Sequence, residues 1–264
     1  MKKWKLPTAS IRIFIFLITV VFISPANYAN EKKINDPLIG FNRIMLDFNE
    51  RIDITILKPI ATLYNKIIPK PLNQGINNFF NNIHNLPNIA NDLLQLHFGQ
   101  AANDSWRLLI NTTIGIGGLF DVAERMNLPL YTNDFGLTLA RWGYTESTYI
   151  VWPFWGPSTL RDGFGGVFDY YVFSVYPHIH PLRARYALYG LGVVDRRAQL
   201  LELQPMLEEA TFDKYIFMRH IYMQGRASQI EDNLHLGYDA RSAISVEPYA
   251  IEAEISNQNS SNAD

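Results

Sequence analysis

The chain has 264 residues, of which 48% are hydrophobic and 13% aromatic, with a formal net charge of −2 and no cysteine. This length suits one domain or two small ones, and the composition can supply a large core. The lack of cysteine excludes disulfide bonds, thiol catalysis and lipid attachment at a cysteine within this sequence, and the lack of a basic stripe argues against nucleic-acid binding.

A secretion signal is predicted at the start of the chain. Residues 2–12 are basic and contain no acid, residues 13–23 are almost wholly apolar, and Ala26 and Ala29 offer two cleavage positions. The apolar run is shorter than the ~20 residues of a spanning helix. We therefore predict a signal peptide over 1–29 and a linker over 30–35, with retention as an uncleaved anchor as the alternative.

Residues 36–235 are predicted to form one mainly α-helical domain with proline and glycine turns, and residues 236–264 a disordered polar tail. Helical spacing predicts a helix over 41–57 that Lys58-Pro59 ends or kinks. Leu86-Pro87 predicts another break, followed by helices over 89–98 and 101–110. The residues of these two helices expected to face inward are Leu93, Leu94, Trp106 and Leu109.

Residues 72–85 predict a helix with an unusual polar face. Apolar side chains such as Leu72, Ile76 and Phe80 fall within about 100° of arc, and the opposite side carries six asparagines and no charge. An uncharged polar face suits a groove or a membrane boundary. The simpler interpretation, favoured by the pattern alone, is a surface helix in a chain rich in asparagine.

The middle of the chain predicts a weak helix over 134–142, a β-like run over 148–152 and an irregular segment over 152–157, because its prolines and glycine interrupt regular structure. Ser158-Thr159 predicts a helix cap before Leu160. Further on, Asp195 is expected to cap a helix over 196–204, and a last long helix is predicted over 211–232.

Residues 163–176 form a short aromatic segment in which Asp169 is the single charged residue. As a helix it would be ~21 Å long, less than the ~30 Å hydrocarbon core of a bilayer. It can cover one leaflet or lie in a protein core, and length alone favours the core.

Two motifs invite binding hypotheses that their context does not favour. Gly115-Ile116-Gly117-Gly118 lacks the preceding strand of a dinucleotide fingerprint and is better explained as a tight turn between helices. His178 and His180 have no evident third ligand and lie between prolines, which favours a polar loop over a metal site.

No catalytic constellation is evident. Ser158 is not within a Gly-x-Ser-x-Gly elbow, and Asp121 and Glu124 form a carboxylate pair of the kind that is more often solvated than catalytic. Arg161-Asp162 can form a local ion pair or meet a phosphate. The prediction is a protein that is not an enzyme and that holds no cofactor and no metal.

Several motifs together resemble the MlaA/VacJ family, in the family's order, from about residue 36 to 232. One of them is 111–123, which contains the glycine turn, and it is the set in order rather than any single motif that makes the resemblance specific. The other matching segments are 36–43 with Phe48-Asn49, 135–139, 153–162, 197–201, and 213–216 with Arg219.

The resemblance implies a ring of helices around an amphipathic channel, embedded in the inner leaflet of a Gram-negative outer membrane and facing the periplasm. It implies phospholipid as substrate, association with an outer-membrane porin trimer, and delivery of mislocalised outer-leaflet phospholipid to a soluble periplasmic carrier. The family is usually a lipoprotein with a cysteine at the signal cleavage site, whereas this sequence has none. Without a lipid attached at a cysteine, the helices themselves must hold the protein in the membrane, which favours partial embedding of residues 163–176.

Candidate channel, gating or lipid-contact residues follow from the matched motifs. We expect Asp47 to Asn49 to line or gate the channel, the glycines to allow a tight bend, and 153–162 to form a stiff turn and helix start. These residues are Asp47, Phe48, Asn49, Gly115, Gly117, Gly118, Pro153, Phe154, Trp155, Gly156, Ser158, Arg161 and Asp162.

Two other classes of function stay open from the residues. A periplasmic lipid hydrolase would need a Ser or His with an orienting carboxylate in one cleft. A structural surface, adhesion or virulence factor would be consistent with the aromatic content.

Overall fold

The computed structural model describes residues 36–201, 204 and 213–235. They belong to a unit of the chain that begins at Asp36. The predicted signal over 1–29, the linker over 30–35 and the tail over 236–264 lie outside the described residues. The predicted mainly α-helical fold is confirmed, with a single β-hairpin in the described part.

The first helical segment is continuous through a proline. Helix α1 (Ile39–Ile52) passes into a π-helical turn (Asp53–Leu57) and then into α2 (Lys58–Ile67). The Lys58 N–H donates to Asp53 O, one residue further back than in an α-helix. Pro59 lies in the first turn of α2, and the wider π-helical turn just before it accommodates the lack of the hydrogen bond that its missing N–H cannot make.

Helix α3 (Lys70–Leu94) runs straight through Pro87, so the predicted break at Leu86-Pro87 and a separate helix over 89–98 are wrong. Proline removes one helical hydrogen bond, but side-chain amides on both sides of it bind neighbouring segments. Asn85 Nδ2 donates to Asp104 O at 2.7 Å and Asn88 Nδ2 to Tyr131 O at 2.8 Å. These tertiary bonds offset the local cost.

Helix α4 (Phe98–Thr113) returns antiparallel along α3 and ends in the glycine turn. Two short helices follow, α5 (Val122–Arg125) and α6 (Phe135–Arg141). Each is capped by an aspartate: Asp121 accepts from Glu124 N, and Asp134 from Leu137 N.

The hairpin pairs β1 (Tyr149–Trp152) with β2 (Gly156–Thr159), Tyr149 opposite Thr159 and Trp152 opposite Gly156. This confirms the predicted β-like run, and residues 152–157 are not helical, as expected, although both ends of this segment belong to the paired strands. Thr159 then caps α7 (Leu160–Phe168) by accepting from Asp162 N, as the sequence indicates. A π-helical turn (Asp169–Phe173) completes the aromatic segment.

Helix α8 (Leu182–Leu200) contains Asp195 in its interior, so the predicted cap at this residue is wrong. The Asp195 carboxylate instead accepts from Tyr64 Oη at 2.8 Å and from Asn77 Nδ2 at 3.3 Å. The Asp195 side chain therefore binds side chains of other helices instead of capping the backbone of its own. The last described helix is α9 (Lys214–His235).

Apolar packing is confined to small clusters. One joins Leu46, Tyr149, Val151 and Tyr215 between α1, β1 and α9, and another joins Ala61, Tyr64 and Ala198 between α2 and α8. Among the described residues, buried polar and charged side chains outnumber buried apolar ones. The interior is therefore held by polar groups rather than by a large apolar core.

The faces of α4 and of the C-terminal part of α3 are the reverse of those predicted. Leu93, Leu94, Trp106 and Leu109, expected to face inward, are 48%, 37%, 58% and 54% exposed. Periodicity identifies an apolar face but not whether that face meets protein, water or lipid, and here the opposite, polar face is the one that packs.

Candidate functional site

A stripe of amide side chains on α3 faces the interior. Asn82, Asn85, Asn88, Asn91 and Gln95 are all buried and recur every three or four residues. Within residues 72–85, Asn82 and Asn85 are buried whereas Asn81 is exposed, so the interpretation as a surface helix with an exposed asparagine face holds only in part. At the N-terminal end of the stripe, Asn82 Nδ2 donates to Thr112 Oγ1 of α4 at 3.0 Å.

Four segments meet at the end of this stripe that contains Asn91 and Gln95. Thr138 Oγ1 donates to Asn91 Oδ1 and accepts from Gln95 Nε2, both at 2.7 Å. Asn91 Nδ2 donates to Asp169 Oδ1 at 2.8 Å, and Asn233 Nδ2 to Gln95 Oε1 at 2.8 Å. The polar contacts thus connect α3, α6, the aromatic segment and α9 through groups that are satisfied by one another.

Three interior carboxylates form no ion pair with the described residues. Burial raises the pKa of Asp92 to about 6 and that of Asp169 to about 7. Burial, with a further contribution from Asp92, raises the pKa of Asp104 to about 7. The Oδ2 atoms of Asp92 and Asp104 lack a hydrogen-bond partner. Near neutral pH this part of the interior is polar but only partly charged.

Arg161 and Asp162 lie in the interior and pair with each other at 2.8 Å. Asp162 Oδ1 also accepts from Arg226 Nη2 of α9 at 2.9 Å, and Arg226 binds Asp134 at 2.6 Å. Burial disfavours the Asp162 carboxylate, but Arg226 and Arg161 outweigh it and hold its pKa below the ordinary value. Because Arg161 also donates to the Thr145 carbonyl at 2.7 Å, the local ion pair, rather than a phosphate contact, is the arrangement found.

The glycine turn is fixed by close backbone approaches. Gly118 N donates to Asn111 O at 2.7 Å, and a Cβ added at Gly118 would lie 2.7 Å from the Asn82 side chain. A Cβ at Gly115 would collide with the carbonyls of Phe120 and Asn111. Gly117 and Gly118 have φ of +67° and +93°, a region that glycine adopts without strain. The turn therefore needs these glycines for shape.

The hairpin tip is bound by α1. Asn49 Nδ2 donates to Trp152 O at 2.9 Å, and Asn49 Oδ1 accepts from Phe154 N at 2.7 Å. The Phe48 and Phe154 rings meet edge to face at 5.4 Å. Phe154 and Trp155 are nevertheless 71% and 73% exposed.

All the candidate residues except Asp47 and Ser158 thus occupy three places. Phe48, Asn49 and the segment from Pro153 to Gly156 meet at the hairpin tip, Arg161 and Asp162 lie in the polar interior, and the glycines form the turn after α4. Asp47 lies on an exposed part of α1, and Ser158 on β2 donates to the Thr159 carbonyl at 3.2 Å.

Sequence reasoning missed the interior residues of other elements: Asn85, Asn91, Asp104, Asp169 and Arg226. The sequence signal for these interior contacts was the uncharged asparagine face of α3. A helix face that meets water usually carries Lys, Arg, Asp or Glu, so their absence indicates contact with something else.

The two histidines considered as metal ligands lie at the protein surface. His178 and His180 are both exposed. In residues 36–201, 204 and 213–235, no three His, Asp or Glu side chains are grouped so as to hold a metal ion.

None of the helices in the described ranges has both the length and the apolarity needed to cross a bilayer.

Comparison with known proteins gives a consistent result. The sequence model of the MlaA lipoprotein family matches residues 34–229. The "Intermembrane phospholipid transport system lipoprotein MlaA" of Escherichia coli (strain K12) is 34% identical over 72% of this chain and 76% of its own length. The protein of the same name in Haemophilus influenzae is 33% identical over 82% of this chain and 88% of its own.

An uncharacterized protein of Rickettsia felis is also similar, at 31% identity over 75% of this chain and 79% of its own. A solved structure reported as the "structural basis for maintenance of bacterial outer membrane lipid asymmetry" aligns with a TM-score of 0.65 and 32% identity. The alignment covers 74% of this chain and 99% of that chain.

Proposed function

Because the chain belongs to the MlaA lipoprotein family, which is a component of phospholipid transport, we propose that it removes mislocalised phospholipid from the outer leaflet of a Gram-negative outer membrane. The lipid passes through an amphipathic channel to a soluble periplasmic carrier, in the retrograde direction. The family is a lipid-transport component, and the proposed mechanism has no covalent step and no cofactor.

The observation that supports this proposal is the reversed distribution of polarity. Amides, carboxylates and guanidinium groups are buried and hydrogen-bonded, while large apolar side chains on α3 and α4 are exposed. In water this arrangement would forgo much of the hydrophobic stabilisation of a folded chain. In a lipid leaflet the exposed apolar faces contact acyl chains, and the backbone stays satisfied within each helix.

In this proposal a zwitterionic or anionic headgroup in transit is bound by the interior amides. Amide side chains donate and accept hydrogen bonds without a fixed net charge, so they can exchange the bonds that they make with other protein groups for bonds to a headgroup. Acyl tails follow apolar walls. In this proposal Phe48 and Asn49 act on the hairpin tip as a gate, and the glycine turn shapes the channel wall.

We place the protein in the inner leaflet, facing the periplasm and beside a porin trimer. Its relatives are named lipoproteins, whereas the 264 residues contain no cysteine. We therefore also propose that the helices themselves hold the protein in the membrane. The exposed rings of Phe154, Trp155 and Tyr171 suit a membrane boundary, since aromatic residues concentrate there.

The test is complementation in a Gram-negative strain that lacks its own family member. Expression of the chain should lower the outer-leaflet phospholipid accessible to a phospholipase added outside the cells, and should restore detergent resistance. The proposal fails if accessible phospholipid is unchanged while the protein is present in the outer membrane at normal amounts.

Two other measurements separate the rival functions. Release of fatty acid from lipid vesicles by the purified protein would indicate a hydrolase. Normal lipid asymmetry combined with lost surface attachment in a deletion strain would indicate an adhesion factor.

A further inference from the structure

Charge is segregated along the chain in a way that transport through an interior does not require. Residues 54–91 contain three lysines, Lys58, Lys66 and Lys70, and no Asp or Glu. Two of these lysines lie on α2, whose outer face also exposes Ile60, Leu63 and Ile67 at 46%, 55% and 68%. A helix that combines exposed aliphatic residues with lysines and no acids is suited to the surface of anionic lipid.

A shallow groove of about 540 Å³ runs along this face. It is lined by the π-helical turn and α2: Ile54, Lys58, Pro59, Thr62, Leu63 and Lys66. Lys58, Thr62 and Lys66 follow one another at four-residue intervals and therefore form one row, with Pro59 and Leu63 in the next row. The groove thus has a cationic edge beside an aliphatic edge.

The opposite face of α2 is firmly held. Ala61 and Tyr64 are buried against Ala198 of α8, and Tyr64 Oη donates to Asp195 at 2.8 Å. The exposed groove is therefore not simply the result of a loosely packed helix.

The acids near this face are already paired. Arg197 binds Asp53 at 2.6 Å, and Asp195 accepts from Tyr64. In the described part of the chain, Lys58 and Lys66 have no carboxylate within ion-pair distance. Their charge is available to a ligand outside the protein.

We infer that this α2 groove binds one anionic phospholipid on the outer surface of the protein, its phosphate held between Lys58 and Lys66 and one acyl chain lying along Ile54 and Leu63. The two lysines are about 12 Å apart along the helix, at 1.5 Å per residue, and their long side chains can converge on one phosphate while their stems cover apolar surface. The inference rests on the proposed lipid-facing surface, but it concerns a bound lipid that is distinct from lipid in the channel.

The direct test is lipid retention by the detergent-purified protein, measured by native mass spectrometry after exchange with equal amounts of phosphatidylglycerol and phosphatidylethanolamine. The wild type should retain phosphatidylglycerol preferentially. The double variant Lys58→Gln/Lys66→Gln should weaken that preference by roughly 30-fold if each lysine contributes as at an anionic lipid surface. Lys58→Arg/Lys66→Arg should retain it.

Lys70→Gln is the matched control, because Lys70 is exposed in the same acid-free segment but does not line the groove. It should keep the preference. Equal loss in Lys70→Gln would contradict a defined site and indicate diffuse charge. An unchanged preference in the double variant would overturn the inference outright, provided that its melting temperature matches the wild type.

Two further arms separate this inference from other outcomes. Competition by millimolar inorganic phosphate alone would indicate a free-phosphate site and contradict a lipid occupant. If the double variant loses lipid preference yet still restores outer-membrane asymmetry, the groove and the transport function are independent. If asymmetry is not restored even by the wild type, the proposed function fails while the retention result stands.

Discussion

At the scale of single residues, the interior depends on the two-sided hydrogen bonding of amides. Asn91 donates to Asp169 and accepts from Thr138 within one side chain, and Asn42 of α1 similarly donates to Tyr149 O and accepts from Val151 N. A buried amide is stable only when both ends are satisfied. Partners this distant in sequence could not be predicted from the chain, although the lack of charge on the α3 face indicated them.

The buried carboxylate of Asp104 makes stability pH-dependent. Burial raises its pKa to about 7, so between about pH 4 and pH 7 the folded state binds a proton that the unfolded state has lost, and stability falls as the pH rises. Asp104→Asn should therefore raise the stability at pH 8 by about 2 kcal/mol and change it little at pH 4. Thermal melting in detergent at the two pH values measures this.

Asp121→Asn is the control with the opposite expected effect, because the Asp121 carboxylate is paired with an arginine of the helix that carries Asp104, α4. Arg107 binds the Asp121 carboxylate at 2.7 Å, and the pKa of Asp121 is lowered because hydrogen bonds and Arg107 outweigh burial. This variant should be less stable at pH 5 and at pH 8 alike. A pH-independent effect of Asp104→Asn, or stabilisation by Asp121→Asn, would contradict the assignment of charges.

At the scale of elements, local signals worked where the cap or turn is made by neighbouring residues. The cap at Thr159, the helix that begins after Asp134 and strand β1 are all local and were predicted, whereas the second strand of the hairpin was not. Pro87 and Asp195 were misinterpreted because their roles depend on contacts from other helices. The π-helical turns have no simple sequence signature and were not foreseen.

The glycine turn offers a matched pair of substitutions. Gly117 and Gly118 both have positive φ, so Ala strains the backbone at either position. Only at Gly118 does the new Cβ also meet Asn82, at 2.7 Å, whereas at Gly117 nothing lies within 4 Å. Gly118→Ala should cost about 2 kcal/mol more stability than Gly117→Ala, as measured by thermal melting.

The double variant Gly117→Val/Gly118→Val extends this test to cells. It should lose the detergent resistance that the wild type restores, since both the backbone conformation and the contact with α3 are removed. Full resistance in this variant would remove the proposal that the turn shapes the channel wall.

The hairpin tip should be released by a change on α1. Asn49→Ala deletes both amide contacts with Trp152 and Phe154, and the loss of two hydrogen bonds should raise the rate of cleavage at the exposed aromatic tip by about 10-fold. Limited proteolysis with chymotrypsin measures this. Asn81→Ala, which removes only an exposed bond to Asn77, should leave the rate unchanged.

At the scale of the whole molecule, the sequence predicts where helices lie better than which way they face. Amphipathic periodicity is the same for a helix with its apolar side in a core and for one with that side in lipid. Leu93 and Trp106 were therefore assigned to the wrong side, and the resemblance of the separated motifs to a membrane-associated family was the clue that pointed to lipid.

Lipid contact can be measured with single-tryptophan variants. Trp106 is 58% exposed on α4, whereas Trp152 is half-buried with its Nε1 shielded inside the protein. In bilayers with brominated acyl chains, the fluorescence of a variant that keeps only Trp106 should be strongly quenched, and that of a variant that keeps only Trp152 should be much less affected. Equal quenching, or none at Trp106, would contradict lipid contact at α4.

Helix α9 has a consequence for how the chain is made. Arg226 pairs with Asp134 and shares Asp162 with Arg161, and Tyr215 binds Asp36 at the other end of the described chain. If the chain is exported from its N-terminus, as proposed, the N-terminal helices emerge before Arg226 and Tyr215, so Asp134 and Asp36 then lack these partners and the apolar faces of the helices are exposed. We expect a strong dependence on periplasmic chaperones during that interval, and rapid degradation of any polypeptide truncated before residue 213.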